Sequence, residues 1–397
     1  MSIETIVIVG AGQAGASAII ELRQHQYAGK IILIGDEAHL PYERPPLSKD
    51  AILNPDETKL EILSPQKLQD LNVDVILNQS VQKIHRNEHV VELTNGNKIP
   101  YDKLLIATGA APRRLPMLDA LGKHVYTLRT LEDAQALISV LQPKQRLVLV
   151  GGGVIGLELA SSARARQAEV TVLEVNATVM ARTAPRLLGD FLLIQHRQAG
   201  IDIRLETEIT QANIENDHIV IDINNAEQLH ADAIIYGIGV IPNAQIAIDA
   251  GLDVDFAILV NENCQTSDPD IYAAGDVATQ LRENGQYRRI ETWENANLQA
   301  GIFARHVMSI EQPKANPAWF WTDQLGFNIQ FAGDMTVTDW HMINIEDTKT
   351  AGPAFVIYGL KDDVIVGGIT VNAARKMRAI KKMITSQAHF ESLIETA

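Results

Sequence analysis

The 397-residue sequence contains a single cysteine, Cys264. One thiol excludes an internal disulfide and a CxxC redox pair, and it leaves too few ligands for a protein-bound iron–sulfur cluster or a structural zinc site. No apolar run approaches the roughly 18 residues that cross a bilayer. The first residues carry no basic segment ahead of the apolar run, which argues against a secretory signal. We therefore expect a cytoplasmic protein that binds no metal.

Positive charge is also scarce, with 34 Lys and Arg against 49 Asp and Glu, a net charge of −15. This balance opposes non-specific binding to nucleic acid or to an anionic membrane, because both carry the same sign. The apolar content of 46% is typical of soluble globular proteins. At about 100–200 residues per domain, the length indicates two to four domains.

A strand–loop–helix–strand pattern opens the chain. The apolar run Thr5–Val9 leads into a loop with glycines at Gly10, Gly12 and Gly15, and an Ala/Ile/Leu-rich helical stretch follows. A second strand, IILIG, then ends at an acidic pair that includes Glu37. The pattern predicts a βαβ unit that binds a dinucleotide.

The same pattern recurs later in the chain. Leu147–Val150 leads into glycines at Gly151, Gly153 and Gly156, then into the helical LELASSARARQ and the strand VTVL, which ends at Glu174. In such loops the glycines allow a tight turn and a close approach of backbone to a pyrophosphate, which then sits at a helix N-terminus. A carboxylate at the end of the second strand accepts hydrogen bonds from the ribose hydroxyls.

The duplication continues downstream, where each unit is followed by a hairpin and an apolar segment. The first hairpin, HVVELTNGNKIPYD, has its turn at Asn95–Gly96 and runs into LLIATGAAPR. The second, HIVIDINNAEQLHAD, runs into AIIYGIGVIPN, which contains Gly239. From about Trp319 the chain has no third glycine loop and reads as mixed α/β, with strands FVIYGL and VIVGGIT.

We predict an α/β fold with two Rossmann-like dinucleotide-binding domains and a C-terminal α+β domain. The predicted boundaries are 1–112 with 243–318 for the first domain, 113–242 for the second and 319–397 for the third. Two such sites suggest a tightly held flavin and a transient nicotinamide, since hydride passes from NADH to flavin without side-chain acids. Glu174 repels a 2′-phosphate and so favours NADH over NADPH, although Arg182 lies nearby in sequence.

Six segments carry a resemblance to a known family: GAGQAG, GDEAHLPYERPPLSKD, LLIATGAAPR, GGGVIGLELA, GIGVIPN and AAGDVA. Together they resemble the two-dinucleotide flavoprotein oxidoreductases, most closely the NADH-dependent ferredoxin reductases of bacterial Rieske-type aromatic-ring dioxygenase systems. The YERPPLSK element is the most specific, although composition alone reads it as a proline-rich surface loop. Reductases of phenylpropionate, cinnamate, biphenyl and benzene dioxygenases remain equal alternatives.

The resemblance, which covers nearly the whole chain, implies FAD in the first domain and NAD in the second. The implied FAD contacts are Gly10, Gly12, Gly15, Glu37, Arg44, Lys49, Val81, Arg129, Asp276, Trp293 and Trp321. The implied NAD contacts are Gly151, Gly153, Gly156, Glu174 and Gly239. Four of these residues also have an interpretation without a cofactor contact: Val81 as an ordinary strand valine, Arg129 as a surface arginine, and Trp293 and Trp321 as core residues. Trp293 is also expected to open a helix that faces the flavin.

The resemblance further implies a catalytic pair of Lys49 and Glu158 on the nicotinamide side of the flavin. A cation near flavin N5 favours the negative charge that arrives with hydride, while the glutamate keeps the lysine protonated and aimed. The alternative is that Glu158 is an ordinary first-turn acid of its helix. Just after Trp321, Leu325-Gly326 departs from the aromatic–acid pair that is usual in the family.

With one cysteine, no dithiol relay can form, and the segment around residues 40–50, where oxidase relatives carry a redox cysteine, has none. Cys264 is interpreted as a strand-end residue, and the electrons of the reduced flavin must therefore leave the protein.

An acidic [2Fe–2S] ferredoxin, Rieske-type by the resemblance, would need a basic docking face. Residues 375–382 hold five basic side chains and no acidic one: Arg375, Lys376, Arg378, Lys381 and Lys382. Their alternative is a solvated helix face.

Three functions remain open. The first is NADH-dependent reduction of a ferredoxin that supplies an aromatic-ring dioxygenase. The second is an NADH oxidase or rubredoxin reductase of the same architecture. The third is a non-catalytic flavoprotein that senses NADH and turns over poorly.

Overall fold

The computed structural model describes residues 3–216, 218–224, 227–282, 284–314, 316–345 and 352–391. The α-helices are α1 (Gln13–Gln24), α2 (Asp50–Leu53), α3 (Pro65–Asp70), α4 (Pro116–Asp119), α5 (Leu131–Val140), α6 (Val154–Ala165), α7 (Arg186–Gln198), α8 (Gln245–Asp249), α9 (Trp293–Val307) and α10 (Met377–Thr385). Short 3₁₀ helices cover Pro45–Ser48, Arg86–Glu88, Gly122–His124 and Ala374–Lys376.

The β-strands fall into several sheets. The first half of the chain contains β1 (Thr5–Val9), β2 (Lys30–Ile34), β3 (Val73–Ile76), β4 (Val81–His85), β5 (Val90–Leu93), β6 (Lys98–Pro100), β7 (Lys103–Ile106), β8 (Ala110–Pro112), β9 (Val125–Tyr126), β10 (Arg146–Val150), β11 (Glu169–Leu173) and β12 (Asp202–Arg204). The second half contains β13 (Ile209–Glu215), β14 (His218–Ile223), β15 (Glu227–Ala231), β16 (Ala233–Tyr236), β17 (Val240–Pro242), β18 (Ile258–Val260), β19 (Ile271–Ala273), β20 (Ala278–Leu281), β21 (Tyr287–Arg288), β22 (Trp319–Gln324), β23 (Phe327–Gly333), β24 (Asp339–Asn344), β25 (Phe355–Lys361) and β26 (Val364–Val371).

The chain divides into two compact units. The first comprises Met1–Glu43, Lys59–Ala111 and Val240–Lys314, and the second comprises Arg44–Thr58, Pro112–Gly239 and Ala315–Ala397. The first glycine loop therefore belongs to the first unit. The second loop and the C-terminal sheet belong to the second unit, which also receives the short segment that contains Lys49.

The first unit contains a five-stranded parallel sheet in the order β19-β7-β1-β2-β3. Along β1 alternate side chains point to opposite faces, as the geometry of a strand requires. Ile6 and Ile8 pack with helices α1 and α9, whereas Val7 and Val9 enter a separate core with residues of β4 and β5. A strand buried on both faces reads as a continuous apolar run, which explains the sequence TIVIV.

The second unit repeats this plan in a parallel sheet of order β12-β11-β10-β16-β9. Leu147 and Leu149 of β10 pack with helices α6 and α7, and Val148 packs with residues of β14. β10 thus holds the same central place in its sheet as β1 does in the first. The equivalence confirms the duplication that the sequence pattern predicts.

An antiparallel sheet of order β22-β23-β26-β25-β24 follows in the second unit. Ile329 and Phe331 on one face share a core with α6 and α7, while Val356 on the other face packs with Ile380 of α10. The predicted fold class of two Rossmann-like sheets with a C-terminal α+β domain is confirmed. The predicted domain boundaries stay a prediction. Within the described residues, no helix is long and apolar enough to cross a membrane.

Candidate active site

The first glycine loop connects β1 to α1 in the first unit. Gly10 has a φ of +118°, and a Cβ there would overlap the carbonyl oxygen of Ala107. A side chain at Gly15 would likewise overlap the carbonyl oxygen of Gly10. At Gly12, the N-cap of α1, nothing in the described part of the chain lies within 4 Å of an added Cβ. Open space beside unpaired helix N–H groups fits the pyrophosphate of a dinucleotide.

The second loop, between β10 and α6, has the same construction in the second unit. Gly151 has a φ of +110°, and a Cβ there would approach the carbonyl oxygen of Gly237 to 2.5 Å. Gly156 packs against Gly151 as Gly15 does against Gly10, and the N-cap Gly153 again faces open space among the described residues. Both loops therefore fit a dinucleotide on structural grounds alone.

Each predicted ribose-binding acid stands shortly after its strand. The hydroxyl of Tyr42 donates a hydrogen bond of 2.6 Å to Oε2 of Glu37. Glu174 is buried, and its carboxylate accepts hydrogen bonds from the backbone N–H groups of Gly152 at 2.7 Å and Asn176 at 2.8 Å. The Glu174 carboxylate is thereby fixed against the second glycine loop.

Arg182 is exposed and belongs to the same neighbourhood. Two of its guanidinium nitrogens lie 3.6 Å from the position that a Cβ on Gly239 would occupy. Gly239 itself has a φ of +106°, in the left-handed region that favours glycine. The arginine charge therefore lies over the loop after β16.

Three further FAD-site predictions fall in the first unit. Asp276 follows β19, and its backbone carbonyl accepts a hydrogen bond from Arg289 at 3.3 Å. Trp293 is the first residue of α9, whose N-cap is Thr292, as the sequence pattern predicted. Val81 begins β4 and is buried.

The predicted FAD residues are divided between the two units. Gly10, Gly12, Gly15, Glu37, Val81, Asp276 and Trp293 belong to the first unit, and Arg44, Lys49, Arg129 and Trp321 belong to the second. Within the second unit, a guanidinium N–H of Arg44 donates to the backbone carbonyl of Arg129 at 2.5 Å. Arg129 is itself fixed just ahead of α5, because its N–H donates to Asp133 at 2.8 Å.

Lys49 and Glu158 are brought together in the second unit. The Lys49 Nζ lies 3.4 Å from Oε1 of Glu158, and the two side chains are 13% and 5% exposed. α6 begins at Val154 because Gly153 is its N-cap, so Glu158 is the fifth residue of the helix. The alternative that Glu158 is a first-turn acid is therefore wrong. The catalytic role of the pair stays a prediction.

The carboxylate of Glu158 receives several donors besides Lys49. The hydroxyl of Ser48 donates to Oε2, the hydroxyl of Thr322 donates to Oε1 at 2.6 Å, and the backbone N–H of Asp323 lies 3.4 Å from Oε1. Burial raises the pKa of Glu158, while the positive charge of Lys49 and the two hydroxyls oppose that rise. The site is built to hold a carboxylate in a nearly dry place.

Lys49 has a second acidic partner that no sequence motif indicated. Its Nζ lies 3.2 Å from Oδ2 of Asp323, whose other oxygen accepts a 2.7 Å hydrogen bond from Asn328. The same ammonium stands 5.6 Å from the ring centre of Trp321, within the range of a cation–π interaction. The structure thus places Trp321 beside the Lys49–Glu158 pair.

Ser48 lies in the YERPPLSK element but was not singled out, and Thr322 and Asp323 carry no motif. A strand pattern could have pointed to Thr322. Alternation along β22 puts Trp321 and Asp323 on one face and Thr322 and Gln324 on the other. Thr322 and Gln324 are both buried, and polar side chains in a buried strand face need partners. Such a face would have marked β22 as more than a structural strand.

The departure at Leu325-Gly326 forms the two-residue turn between β22 and β23. Both residues have positive φ, 51° and 80°, which is the requirement of a type I′ hairpin turn. Leucine is unusual there, and its backbone N–H donates a 2.8 Å hydrogen bond to Ser161. The pair therefore serves the turn.

Cys264 is fully buried and lies in a bend rather than at a strand end, with a φ of +62°. The strand-end interpretation is wrong because the left-handed conformation turns the chain between β18 and the bridge at Gln265. Burial raises the pKa of the Cys264 thiol, and its sulfur lies 3.5 Å from the side-chain nitrogen of Gln280. A buried thiol of this kind is unreactive.

The basic segment 375–382 lies at the start of α10 and in the 3₁₀ turn before it. Arg375, Lys376, Arg378 and Lys382 are exposed or partly exposed, which is the arrangement of a charged helix face. Lys381 is less exposed, and its ammonium lies 4.8 Å from the ring centre of Trp319, which stacks on Trp321 at 5.1 Å. Four of the five cations are thus available to a partner.

Family comparisons cover most of the chain. Residues 4–300 match the family described as pyridine nucleotide-disulphide oxidoreductase, and residues 319–393 match the family described as reductase C-terminal. A 3-phenylpropionate/cinnamic acid dioxygenase ferredoxin–NAD(+) reductase component from Photorhabdus laumondii is 45% identical over 395 residues, which are 99% of each chain.

Two solved structures extend this similarity to the fold. The putidaredoxin reductase of a covalent putidaredoxin reductase–putidaredoxin complex has a TM-score of 0.91 at 34% identity, over 97% of this chain and 93% of that chain. A ferredoxin reductase from Rhodopseudomonas palustris has a TM-score of 0.89 at 33% identity, over 94% and 93% of the two chains.

Proposed function

The chain belongs to the pyridine nucleotide-disulphide oxidoreductase family, and we propose that it is an NADH-dependent, FAD-containing ferredoxin–NAD(+) reductase. Its acceptor is a [2Fe–2S] ferredoxin, of Rieske type, that supplies an aromatic-ring dioxygenase. The observation that carries the proposal is the similarity to the reductase component of such a system over 99% of both chains. The protein acts in the cytoplasm.

FAD, when bound, accepts hydride from NADH and releases electrons one at a time. We assign FAD to residues 1–112 and 243–318, NAD to residues 113–242, and ferredoxin docking to residues 319–397. The FAD residues are Gly10, Gly12, Gly15, Glu37, Arg44, Lys49, Val81, Arg129, Asp276, Trp293 and Trp321. The NAD residues are Gly151, Gly153, Gly156, Glu174 and Gly239.

The chemical work of this chain is placement and electrostatics. Lys49 supplies a positive charge in a setting with little water, where such a charge is screened least. Glu158 holds the ammonium in place through a 3.4 Å ion pair, because a carboxylate without its partner would be unfavourable in the interior. Both residues therefore act as catalytic residues during flavin reduction.

Selectivity for NADH rests on Glu174. Its carboxylate is fixed by Gly152 and Asn176, so it cannot swing away from a 2′-phosphate. The Glu174 carboxylate and a 2′-phosphate carry the same sign of charge and repel each other, whereas a ribose hydroxyl donates a hydrogen bond to the carboxylate. Arg182 is a nearby cation that works against this preference.

The docking surface is the basic face formed by Arg375, Lys376, Arg378 and Lys382, with Lys381 anchored on Trp319 beside it. A protein with a net charge of −15 attracts an acidic ferredoxin only through a local concentration of positive charge. The exposed parts of these four side chains supply that concentration.

The direct test is to mix the purified protein with NADH and individual purified ferredoxins and to follow loss of the iron–sulfur absorbance. We expect rapid reduction of a Rieske-type [2Fe–2S] ferredoxin, and slower reduction with NADPH. NADH consumption that needs only oxygen, with every ferredoxin inert, would replace the proposal with an NADH oxidase. A slow NADH–ferricyanide turnover with a long-lived charge-transfer complex would indicate an NADH sensor.

A further inference from the structure

A chain of buried polar side chains runs from Glu158 into the interior of the second unit. Thr322 Oγ1 lies 2.6 Å from Glu158 Oε1, and Gln324 Nε2 lies 3.1 Å from Thr322 Oγ1. His196 Nε2 then lies 2.9 Å from Gln324 Oε1. Glu158, Thr322, Gln324 and His196 are 4%, 0%, 1% and 0% exposed. Burial of polar groups is unfavourable unless they find partners, and each of these four side chains has one, although Nδ1 of His196 has no hydrogen-bond partner among the described residues.

The direction of each hydrogen bond follows from the chemistry of the groups. The amide nitrogen of Gln324 only donates, so the oxygen of Thr322 accepts from it. The single hydroxyl proton of Thr322 is then left for Glu158, whose carboxylate only accepts. At the other end the oxygen of Gln324 only accepts, so the proton of His196 sits on Nε2.

The far end of this chain is electrically neutral. Burial lowers the pKa of His196, which keeps its ring uncharged. Among the described residues, two charged groups face Glu158. Lys49 lies 3.4 Å from its carboxylate, and Asp323 binds Lys49 with its own carboxylate and has its backbone N–H 3.4 Å from Oε1 of Glu158. Ser48 adds a neutral donor from the 3₁₀ helix before α2.

We propose that Thr322 is a positioning residue for Glu158. Gln324, which is hydrogen-bonded to His196, donates to the hydroxyl oxygen of Thr322. The hydroxyl proton of Thr322 is therefore directed at the Glu158 carboxylate. The donated proton favours the charged form of Glu158, against the effect of burial, and aims the carboxylate at Lys49. This inference rests on the proposed function, in which the Lys49–Glu158 pair acts during flavin reduction. It gives β22, the first strand of the C-terminal domain, a part in the reaction that is separate from docking.

The experiment compares FAD-loaded Thr322→Val, which removes the hydroxyl at nearly constant shape, with Thr322→Ser, which keeps it. Thr370→Val is the matched control, because Thr370 is equally buried on β26 and its hydroxyl takes no part in this chain. The readout is the titration of the Glu158 carboxyl by infrared difference spectroscopy, with its band assigned by its loss in Glu158→Gln.

Loss of a donor to the charged form favours the protonated form. We expect the titration midpoint of Glu158 to rise by about one pH unit in Thr322→Val, from the typical strength of a hydrogen bond to a charged group. The midpoint should return in Thr322→Ser and stay unchanged in Thr370→Val. The acidic limb of the rate of flavin reduction by NADH should move with it.

An unchanged midpoint in Thr322→Val would overturn the inference. If Thr322→Val does not fold, Gln324→Met serves instead, since it frees the hydroxyl to rotate; it should raise the midpoint less, and no rise would count equally against Thr322. Failure of the proposed function looks different: Glu158→Gln would then reduce the flavin at the wild-type rate, whatever the infrared midpoint shows.

Discussion

The ammonium of Lys49 lies 3.2 Å from the carboxylate of Asp323, slightly closer than its 3.4 Å separation from Glu158. The two carboxylates differ in surroundings, because the side chain of Asp323 is 44% exposed and that of Glu158 only 5%. Water screens the outer ion pair and hardly reaches the inner one. The shorter contact is therefore the weaker one.

That difference predicts unequal effects of substitution. Lys49→Met should slow flavin reduction by NADH at least about 100-fold, the typical result of removing one electrostatic group from a dry site. Asp323→Asn should slow it by less than about fivefold, since an exposed ion pair is worth about 1 kcal/mol or less. Stopped-flow measurement at saturating NADH distinguishes the two. Equal losses would contradict the assignment of Glu158 as the main partner.

The raised pKa of Glu158 has a consequence for stability. At pH values above 4.5, the ordinary pKa of a glutamate side chain, Glu158 binds more protons in the folded protein than in the unfolded chain. The stability that Glu158 contributes therefore falls as the pH rises from about 4.5 through the folded pKa. Urea unfolding should show the stability difference between wild type and Glu158→Gln declining across that window.

Asp232 provides the control with the opposite sign. Hydrogen bonds from Arg146 lower the pKa of Asp232 below its ordinary value of 3.8. Its contribution to stability is therefore present above that pH and is lost as the pH falls through the folded pKa. Asp232→Asn should remove this acidic limb from the pH dependence of urea unfolding, and an acidic limb that survives the substitution unchanged would contradict a lowered pKa.

Cofactor preference should depend on one of the two strand-terminal acids. Glu174→Gln keeps an acceptor for Gly152 but removes the negative charge, so the ratio of kcat/KM for NADPH to that for NADH should rise about tenfold. Glu37→Gln, the equivalent change in the first glycine-loop unit, should leave this ratio unchanged. A rise in Glu37→Gln with none in Glu174→Gln would mean that the two loops are assigned to the wrong nucleotides.

The basic face of α10 should govern association with the ferredoxin. Lys376→Gln together with Lys382→Gln should raise the ferredoxin KM several-fold and weaken its dependence on salt, while NADH–ferricyanide turnover stays the same. Lys381→Gln should change the salt dependence less, because this ammonium lies on Trp319. Equal loss in the ferredoxin and ferricyanide assays would refute a docking role.

The glycine loops were predictable because their requirements are local. Gly10 and Gly151 each need a positive φ and a close approach to a carbonyl, and both needs are written into a short run of sequence. The contact between Lys49 and Glu158 could be expected only from the family resemblance, since no spacing rule joins residues so far apart.

The hydrogen-bonded chain behind Glu158 could not be predicted in this way. His196 and Gln324 are 128 residues apart and meet only because α7 and β22 pack in one core. Glutamine and threonine in a strand read as surface residues until the neighbours of both faces are known. The sequence pattern also predicts a helix that starts at Leu157, whereas α6 starts at Val154. Several glycines precede this helix, and the sequence alone does not show which of them is the N-cap.

The burial of Cys264 makes this chain a convenient background for site-specific labelling. Its only thiol is inaccessible and its pKa is raised, so a maleimide or nitroxide reagent has no native target. A cysteine introduced at the exposed position of Ala379 on α10 would carry the only label on the molecule. Distances from such a label to the iron–sulfur centre of a bound ferredoxin would map the complex without removing any native residue first.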